Sequence, residues 1–307
     1  MPAEHLLAGE TAASQYDIGN IRHCERHPHG FVNTTYRIET DRGVFALTEF
    51  QQRTAREAAA RAEVVGQVCA VPVAQPLLSR SGHRVIDMNG RPAWLTPWVE
   101  GRSLVGWQHH QKDPMSERQH REVIRGFDTL HRELSRIVAE GADIRPFQTG
   151  SAEEETEIPP GRTIQSLIAR CRECYQGVAA PAAPQTSLVH RDFERQNLLF
   201  CGDALTAILD FDALGIGTVQ QEWAHTTFNH ACCDPQQSAE HLEMYVEHSP
   251  LGEMQKLSRQ QFLAAIARFC EEDIHGFLWI AGRTSVDLEA LLQHYSAALS
   301  FAQQHLD

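Results

Sequence analysis

Lysine is almost missing from this chain of 307 residues: Lys112 and Lys256 are its only two, so nearly all of its positive charge is arginine. Positive charge is scarce altogether, with 27 Lys and Arg against 40 Asp and Glu, a formal −13. A broad nucleic-acid footprint or an anionic membrane needs a basic face, so no nucleic-acid and no membrane partner is expected, although small basic pockets remain open. Long apolar runs are missing too. Polar residues interrupt every apolar window well before the roughly 20 residues that a membrane-spanning helix requires. Residues 1–20 have neither the charged start nor the apolar stretch of a secretory leader. The eight cysteines are scattered through a large chain, which favours free thiols in a reduced, cytoplasmic setting over a disulfide framework. No internal repeat is visible.

What is present divides into two kinds of pattern. From Gly30 to Phe50 the chain reads strand, tight turn, strand, with Tyr36 and Ile38 alternating with polar neighbours and Asp41-Arg42-Gly43 making the turn. Thr54 to Cys69 reads as a helix rich in Ala, Glu and Arg, closed by Pro72. Two short β segments follow, Arg84–Met88 and Ala93–Val99, around an Asn89-Gly90 turn. Thr96-Pro97-Trp98-Val99-Glu100-Gly101 then suits a crossing between lobes. Beyond it, Val123, Phe127, Leu130, Leu134 and Ile137 fall on one helical stripe, and Phe262, Ile266 and Phe269, then Leu288, Leu291, Leu292 and Tyr295, do the same near the C-terminus. Between these helices lies a compact β segment, Leu188 to His190 and Leu198 to Phe211, with a turn at Cys201-Gly202-Asp203. Residues 150–161 read as a solvated acidic loop and 179–185 as a Pro/Ala connector. The expectation is an α+β architecture, with a small β-rich lobe over 1–97 and a larger, mainly helical lobe over 98–307.

The chemistry concentrates in His190-Arg191-Asp192-Phe193-Glu194-Arg195-Gln196-Asn197, followed after a hairpin by Asp210-Phe211-Asp212. Transferring a phosphoryl group asks little covalent work of a protein. It needs a carboxylate to orient or deprotonate the attacking hydroxyl and oxygen ligands to hold Mg²⁺ on the phosphates. Asp192 supplies the first, and Asn197 with Asp210 the second, since Mg²⁺ favours hard oxygen donors and keeps several waters. The hairpin Leu198 to Leu209 would return Asp210 to the edge where Asn197 sits. An HxD triplet alone is a common loop sequence; the HxDx₄N spacing with hairpin and Asp-Phe is specific.

With these motifs the chain resembles the aminoglycoside phosphotransferase and choline kinase superfamily, from about Gly30 to about Tyr295. Further points of resemblance are Leu130-His131, the hinge-like Trp98-Val99-Glu100-Gly101, and Gly217 through Glu222-Trp223-Ala224, where Glu222 stands for the usual Asp. Gly30-Phe31-Val32-Asn33-Thr34-Thr35-Tyr36, the strand Phe45-Ala46-Leu47-Thr48, the Val71-Pro72-Val73 step and the Arg195/Asn197 spacing are similar to the homoserine kinase branch in particular. The resemblance implies a protein-kinase-like two-lobed fold, ATP and Mg²⁺ as cofactors, and a small-molecule alcohol as acceptor, with the enzyme working as a monomer or homodimer. It also implies that Gly30, Asn33, Thr34 and Thr35 lie over the phosphates, with Thr48, Trp98 and Arg195 contributing to the nucleotide site. Thr48 stands where most kinases carry the lysine that holds the α- and β-phosphates. Glu57 or Glu63 on the next helix therefore lacks its usual partner, and Arg37 or Arg53 is a candidate replacement.

Several residues carry more than one reading. Arg191 and Arg195 either neutralise phosphate, bind a substrate carboxylate in bidentate fashion, or are solvated loop arginines. Asp212 assists a second Mg²⁺, touches substrate, or caps the following turn. His190 organises the loop rather than carrying a proton. The Cys171/Cys174 pair and Cys232-Cys233, near His225 and His230, lack the spacing of a zinc ribbon and read as buried or incidental thiols. For the acceptor, an amino acid or amino alcohol is one expectation. An antibiotic or other natural product is the alternative, with Glu153–Glu157 and Glu271-Glu272-Asp273 lining a wide acidic cleft. A non-catalytic pseudokinase, suggested by the missing lysine, is opposed by the intact Asp192, Asn197 and Asp210.

Overall fold

The computed structural model describes residues 3–27, 32–105, 112–143, 147, 162–179, 186–248, 257–281 and 288–306. Helix α1 (Ala3–Gln15) leads into β1 (Ile21–Arg26), β2 (Thr34–Thr40) and β3 (Val44–Glu49), then α2 (Ala55–Val65), β4 (Val85–Met88) and β5 (Arg91–Pro97). The strands form one antiparallel five-stranded sheet in the order β1-β2-β3-β5-β4. Alternation places Tyr36, Ile38, Leu47, Ala93 and Leu95 in a small core that also takes Ala8, Ala12 and Tyr16 from α1. The Asn89-Gly90 turn has φ of 56° and 86°, the left-handed pair that a two-residue hairpin demands. Helix α2 starts on a capping box, with Thr54 and Glu57 each accepting from the other's backbone N–H. Its buried Ala58, Ala62, Val64 and Val65 join the larger core of the helical region, so the small lobe is anchored from beneath.

The helical region holds α3 (Glu117–Ala139), α4 (Arg162–Tyr175), α5 (Val219–Thr227), α6 (Ala239–Glu247), α7 (Arg259–Ala281) and α8 (Leu288–Leu306). The predicted stripe of α3 is wholly buried: Val123, Phe127, Leu130, Leu134 and Ile137 are each 0% exposed. Burial of side chains of this size is worth roughly 1.5–3 kcal/mol apiece. Helix α7 packs against α4, α5 and α8. Two small antiparallel pairs cross this framework, β6 (Thr186–Val189) with β9 (Gly215–Thr218), and β7 (Leu198–Cys201) with β8 (Ala204–Ile208). At the crossing between lobes, Gly101 has φ of 155° and lies so close to β7 and β8 that a Cβ there would sit 2.7 Å from Thr206 Oγ1. Arg102 and Phe200 pair through their backbones at the same point. Among the described residues no helix is long and apolar enough to cross a membrane.

The expected loop at 150–161 and most of the connector at 179–185 lie outside the described residues. Helix α1, helix α4 and strands β1 and β9 are elements that the sequence reading did not assign, and α5 and α6 were not assigned as separate helices.

Candidate active site

Residues 190–197 leave β6 and reach β7 through a single turn of 3₁₀ helix at Arg195–Asn197. The His190 imidazole organises this loop. Its Nδ1 accepts the Asp192 N–H at 3.2 Å, and its Nε2 donates to the Leu209 carbonyl at 2.9 Å. Burial holds its pKa down to about 4, so the ring stays neutral. Glu222, at the start of α5, accepts the His190 N–H at 3.1 Å and the Arg191 N–H, and lies 2.9 Å from His131 Nε2 on α3. Burial works to raise this carboxyl, but His131 and the backbone donors prevail and hold it below the usual range. Glu222 therefore clamps the loop from below.

Asp192, half-buried, is joined to its two expected partners in different ways. Asn197 Nδ2 donates to the Asp192 carbonyl at 2.9 Å, leaving the amide oxygen as that side chain's acceptor. The hairpin closes where Leu209 donates its N–H to the Asn197 carbonyl at 2.8 Å, and this sets Asp210 beside it. Burial first, and then the charges of Glu194 and Asp210, push the Asp192 carboxyl well above the ordinary carboxylate range, against the pull of Asn197. Asp210 has left-handed backbone, φ 55° and ψ 67°, which Asp and Asn tolerate better than other side chains. The residue is exposed, yet desolvation by the protein around it, and then the charge of Asp212, push its carboxyl up to about 6.

Asp212 ties the two lobes together. Its carboxylate accepts from Arg53 Nε at 2.7 Å and from Asn33 Nδ2 at 3.1 Å, and its carbonyl accepts from Arg61 Nε at 2.8 Å. Above it, the Thr35 and Thr48 hydroxyls face each other at 3.4 Å across paired β2 and β3. Thr34 Oγ1 accepts from Gln51 Nε2 at 3.3 Å. Trp98 donates its N–H to Val44 at 2.9 Å, and the Arg37 guanidinium lies 5.3 Å from its ring centre. Gly30 lies outside the described residues.

The structure takes Arg195 out of the nucleotide site. It is 1% exposed, and its guanidinium is committed to the Asp113 carbonyl at 2.7 Å, the His230 carbonyl at 2.7 Å and the Asp234 carboxylate at 2.6 Å. A buried arginine so enclosed supports the loop and presents no fork to a phosphate. Arg191 is exposed, but it donates to the Ile216 carbonyl on β9 and has φ of 68°.

Beside Asp192 lies a second polar group that the sequence indicated only in part. Glu194 accepts from, or is paired with, His225 Nε2 at 2.8 Å, and Asp273 on α7 accepts from the Tyr295 hydroxyl. Burial and then Glu194 push Asp273 up to about 7. Lys112 Nζ donates to Asn229 Oδ1 at 2.9 Å and acts electrostatically on Asp273. Glu194 stood inside the catalytic-loop motif and could have been singled out there. Lys112 and Asn229 had no local signal. Of the other expected acidic wall, Glu271 pairs with Arg172 on α4, and Glu153–Glu157 lies outside the described residues. Cys171 and Cys174 belong to α4, and all eight cysteines are free thiols.

Among the described residues no three His, Cys, Asp or Glu side chains converge to hold a metal alone. One carboxylate and one amide oxygen, Asp210 and Asn197, nevertheless suit a hard cation that takes its remaining ligands from phosphate and water. Asp210 also acts electrostatically on Asp192, a repulsion that a bound cation would offset.

Comparison with known proteins bears on the fold and the family. A homoserine kinase of Brucella anthropi is 26% identical over 202 residues, 64% of this chain and 60% of the relative. One of Methylobacillus flagellatus is 25% identical over 206 residues, with the same coverage of 64% and 60%. The chain thus spans about 60% of the length of these curated relatives. Among solved structures, a spectinomycin phosphotransferase in complex with ADP and spectinomycin superposes with a TM-score of 0.68 at 9% identity, covering 99% of both chains. An amicoumacin kinase in complex with AMP-PNP and Ca²⁺ gives 0.63 at 13% identity, covering 99% of this chain and 94% of the other. The fold is therefore the kinase-like two-lobed one. Residues 23–253 match the phosphotransferase enzyme family, and the chain belongs to it.

Proposed function

We propose that the protein transfers the γ-phosphate of ATP to a hydroxyl of a small molecule that carries an amine. The observation that carries this reading is Asp192 held beside Asn197 and Asp210 at the two ends of one hairpin, below the β2–β3 strands. Asp192 accepts the hydrogen bond of the acceptor hydroxyl and orients its oxygen toward the γ-phosphorus. As the new P–O bond forms and the bond to the β-phosphate oxygen breaks, the hydroxyl proton passes to the Asp192 carboxylate. Asn197 Oδ1 and Asp210 would hold Mg²⁺, which would supply positive charge against the charge that develops on the phosphates. Asn33, Thr34, Thr35 and Thr48 bound the phosphates from above, and Trp98 stands at the crossing where the nucleotide's base would lie. The nucleotide complexes of the solved relatives and the free thiols of a reduced, cytoplasmic setting are consistent with this assignment.

For the acceptor, Glu194 and Asp273 suit an ammonium and Lys112 suits a carboxylate, all grouped on the Asp192 side of the cleft. This favours an amino acid or amino alcohol, as in homoserine kinases, over the antibiotics of the structural neighbours. A panel of homoserine, simple amino alcohols, aminoglycosides and sugars, followed by coupled ADP release, tests the choice. Turnover is expected on the amino-acid alcohols. Turnover on aminoglycosides alone overturns the acceptor class, and release of no ADP with any alcohol overturns the reaction.

A further inference from the structure

The small lobe has no lysine at all within residues 1–105, and the strand position suited to a phosphate-binding cation is Thr48, a neutral side chain facing Thr35. Triphosphate carries several negative charges, so a cation must approach from elsewhere. Most arginines of the sheet are committed away from Asp212. Arg37 pairs with Glu39 under Trp98, Arg42 pairs with Asp17, and Arg91 with Glu49. Arg61 is 4% exposed and spends Nε on the Asp212 carbonyl and Nη1 on the Glu57 carbonyl.

Arg53 differs. It lies five residues after Thr48, just before the Thr54 cap of α2, and its Nε donates to Asp212 at 2.7 Å. Among the described residues Nη1 and Nη2 make no hydrogen bond, and the side chain is 28% exposed. The other Asp212 oxygen takes Asn33, from the loop expected over the phosphates. Asp212 thus brings Arg53 and Asn33 to one point two residues from Asp210, and Arg53 is near enough to act electrostatically on Asp210. Arg61, on the Asp212 carbonyl, and Arg53, on its carboxylate, lie close enough to act on one another electrostatically, so two guanidiniums gather at this point.

Resting on the ATP-dependent reading above, we propose that Arg53 is the small-lobe cation that binds the nucleotide's phosphates, with Asp212 holding Nε so that the two terminal nitrogens face the cleft. The clamp then comes from the loop ahead of α2 instead of from a strand, which explains how a lobe without lysine serves this chemistry. Arg53 has two roles in this arrangement, contacting phosphate and joining the lobes.

Isothermal calorimetry with MgADP and with adenosine, on the full chain, separates these roles. Losing one charge-assisted contact corresponds to about a tenfold to hundredfold loss of affinity. Arg53→Ala is expected to weaken MgADP binding by that factor while adenosine binding is unchanged. Arg53→Lys, which keeps the charge without the fork, should fall between, and Arg91→Ala should match wild type. Asp212→Asn should weaken MgADP a few-fold through loss of positioning. Wild-type MgADP affinity in Arg53→Ala, or equal loss of MgADP and adenosine, overturns the assignment and leaves Arg53 as an interlobe tie. A wild-type protein that binds no nucleotide overturns the ATP-dependent reading along with it, whereas nucleotide binding indifferent to Arg53 overturns this proposal alone.

Discussion

On the helical side of the cleft, Asp192, Asn197 and Asp210 hang from a loop braced by buried groups: His190, Glu222 with His131, and Arg195 with Asp234. On the sheet side, Asn33, Thr35, Thr48 and Arg53 are each held by one or two polar contacts, several of them partly open to solvent. The difference matches what the proposed reaction asks of each wall. Orienting a hydroxyl for attack tolerates little error, because a small misplacement of the base costs rate directly. Covering a flexible triphosphate requires donors that can shift as it enters and leaves. Buried bracing is therefore concentrated under the proposed chemistry, and the lighter contacts lie on the wall proposed to face the nucleotide.

Perturbing the braced wall should have the larger effects. Asp192→Ala is expected to lower kcat by about 10²–10⁴-fold, with only a modest change in KM for MgATP, since its contact belongs mainly to the transition state. Steady-state kinetics on any accepted alcohol checks this, and an unchanged kcat would remove Asp192 from the mechanism. Arg195→Met strands the buried Asp234 carboxylate and is expected to destabilise the fold by about 3–5 kcal/mol in urea unfolding. Protein that remains folded should keep its MgADP affinity, and a selective loss there would return Arg195 to the nucleotide.

The third test uses pH. His190 has its pKa depressed to about 4 in the fold, so the unfolded chain takes up a proton near pH 6.5 before the folded one does. The stability this group lends is fully present above pH 6.5 and is lost as pH falls toward 4, by roughly 3 kcal/mol. Unfolding midpoints of His190→Gln should decline less steeply over that window than those of wild type. On the lightly held wall, Thr48→Val removes only the 3.4 Å contact with Thr35 and should change stability by no more than about 0.5 kcal/mol. A loss as large as that of Arg195→Met would erase the contrast between the walls.

The braced wall was also the more legible one. Its members sit within a few residues of one another, so spacing alone suggested Asp192, Asn197 and the return of Asp210 through a hairpin. The α3 stripe was equally plain, because 3.6-residue periodicity marks a buried face directly. Burial that depends on distant partners was not readable. Arg195 meets Asp234, Glu222 meets His131, and Lys112 meets Asn229, pairs separated by tens to more than a hundred positions. Strand β1 escaped because Arg22, His23, Glu25 and Arg26 are exposed and Cys24 is its only fully buried residue, so no apolar alternation betrays it. Helix α1 is built of small residues with little apolar bias. Arg53 lay in plain sight as one of two candidates, and only the fold distinguishes it from Arg37, which turns to Trp98.

The left-handed backbone at Asp210 limits how an inactive control protein can be made. Alanine would have to adopt a conformation that costs about 1 kcal/mol or more, and the turn itself could relax along with the lost carboxylate. Asparagine tolerates that geometry and keeps an oxygen while surrendering the charge. Asp210→Asn is thus the substitution that removes the charge proposed to hold the metal while the turn keeps its shape.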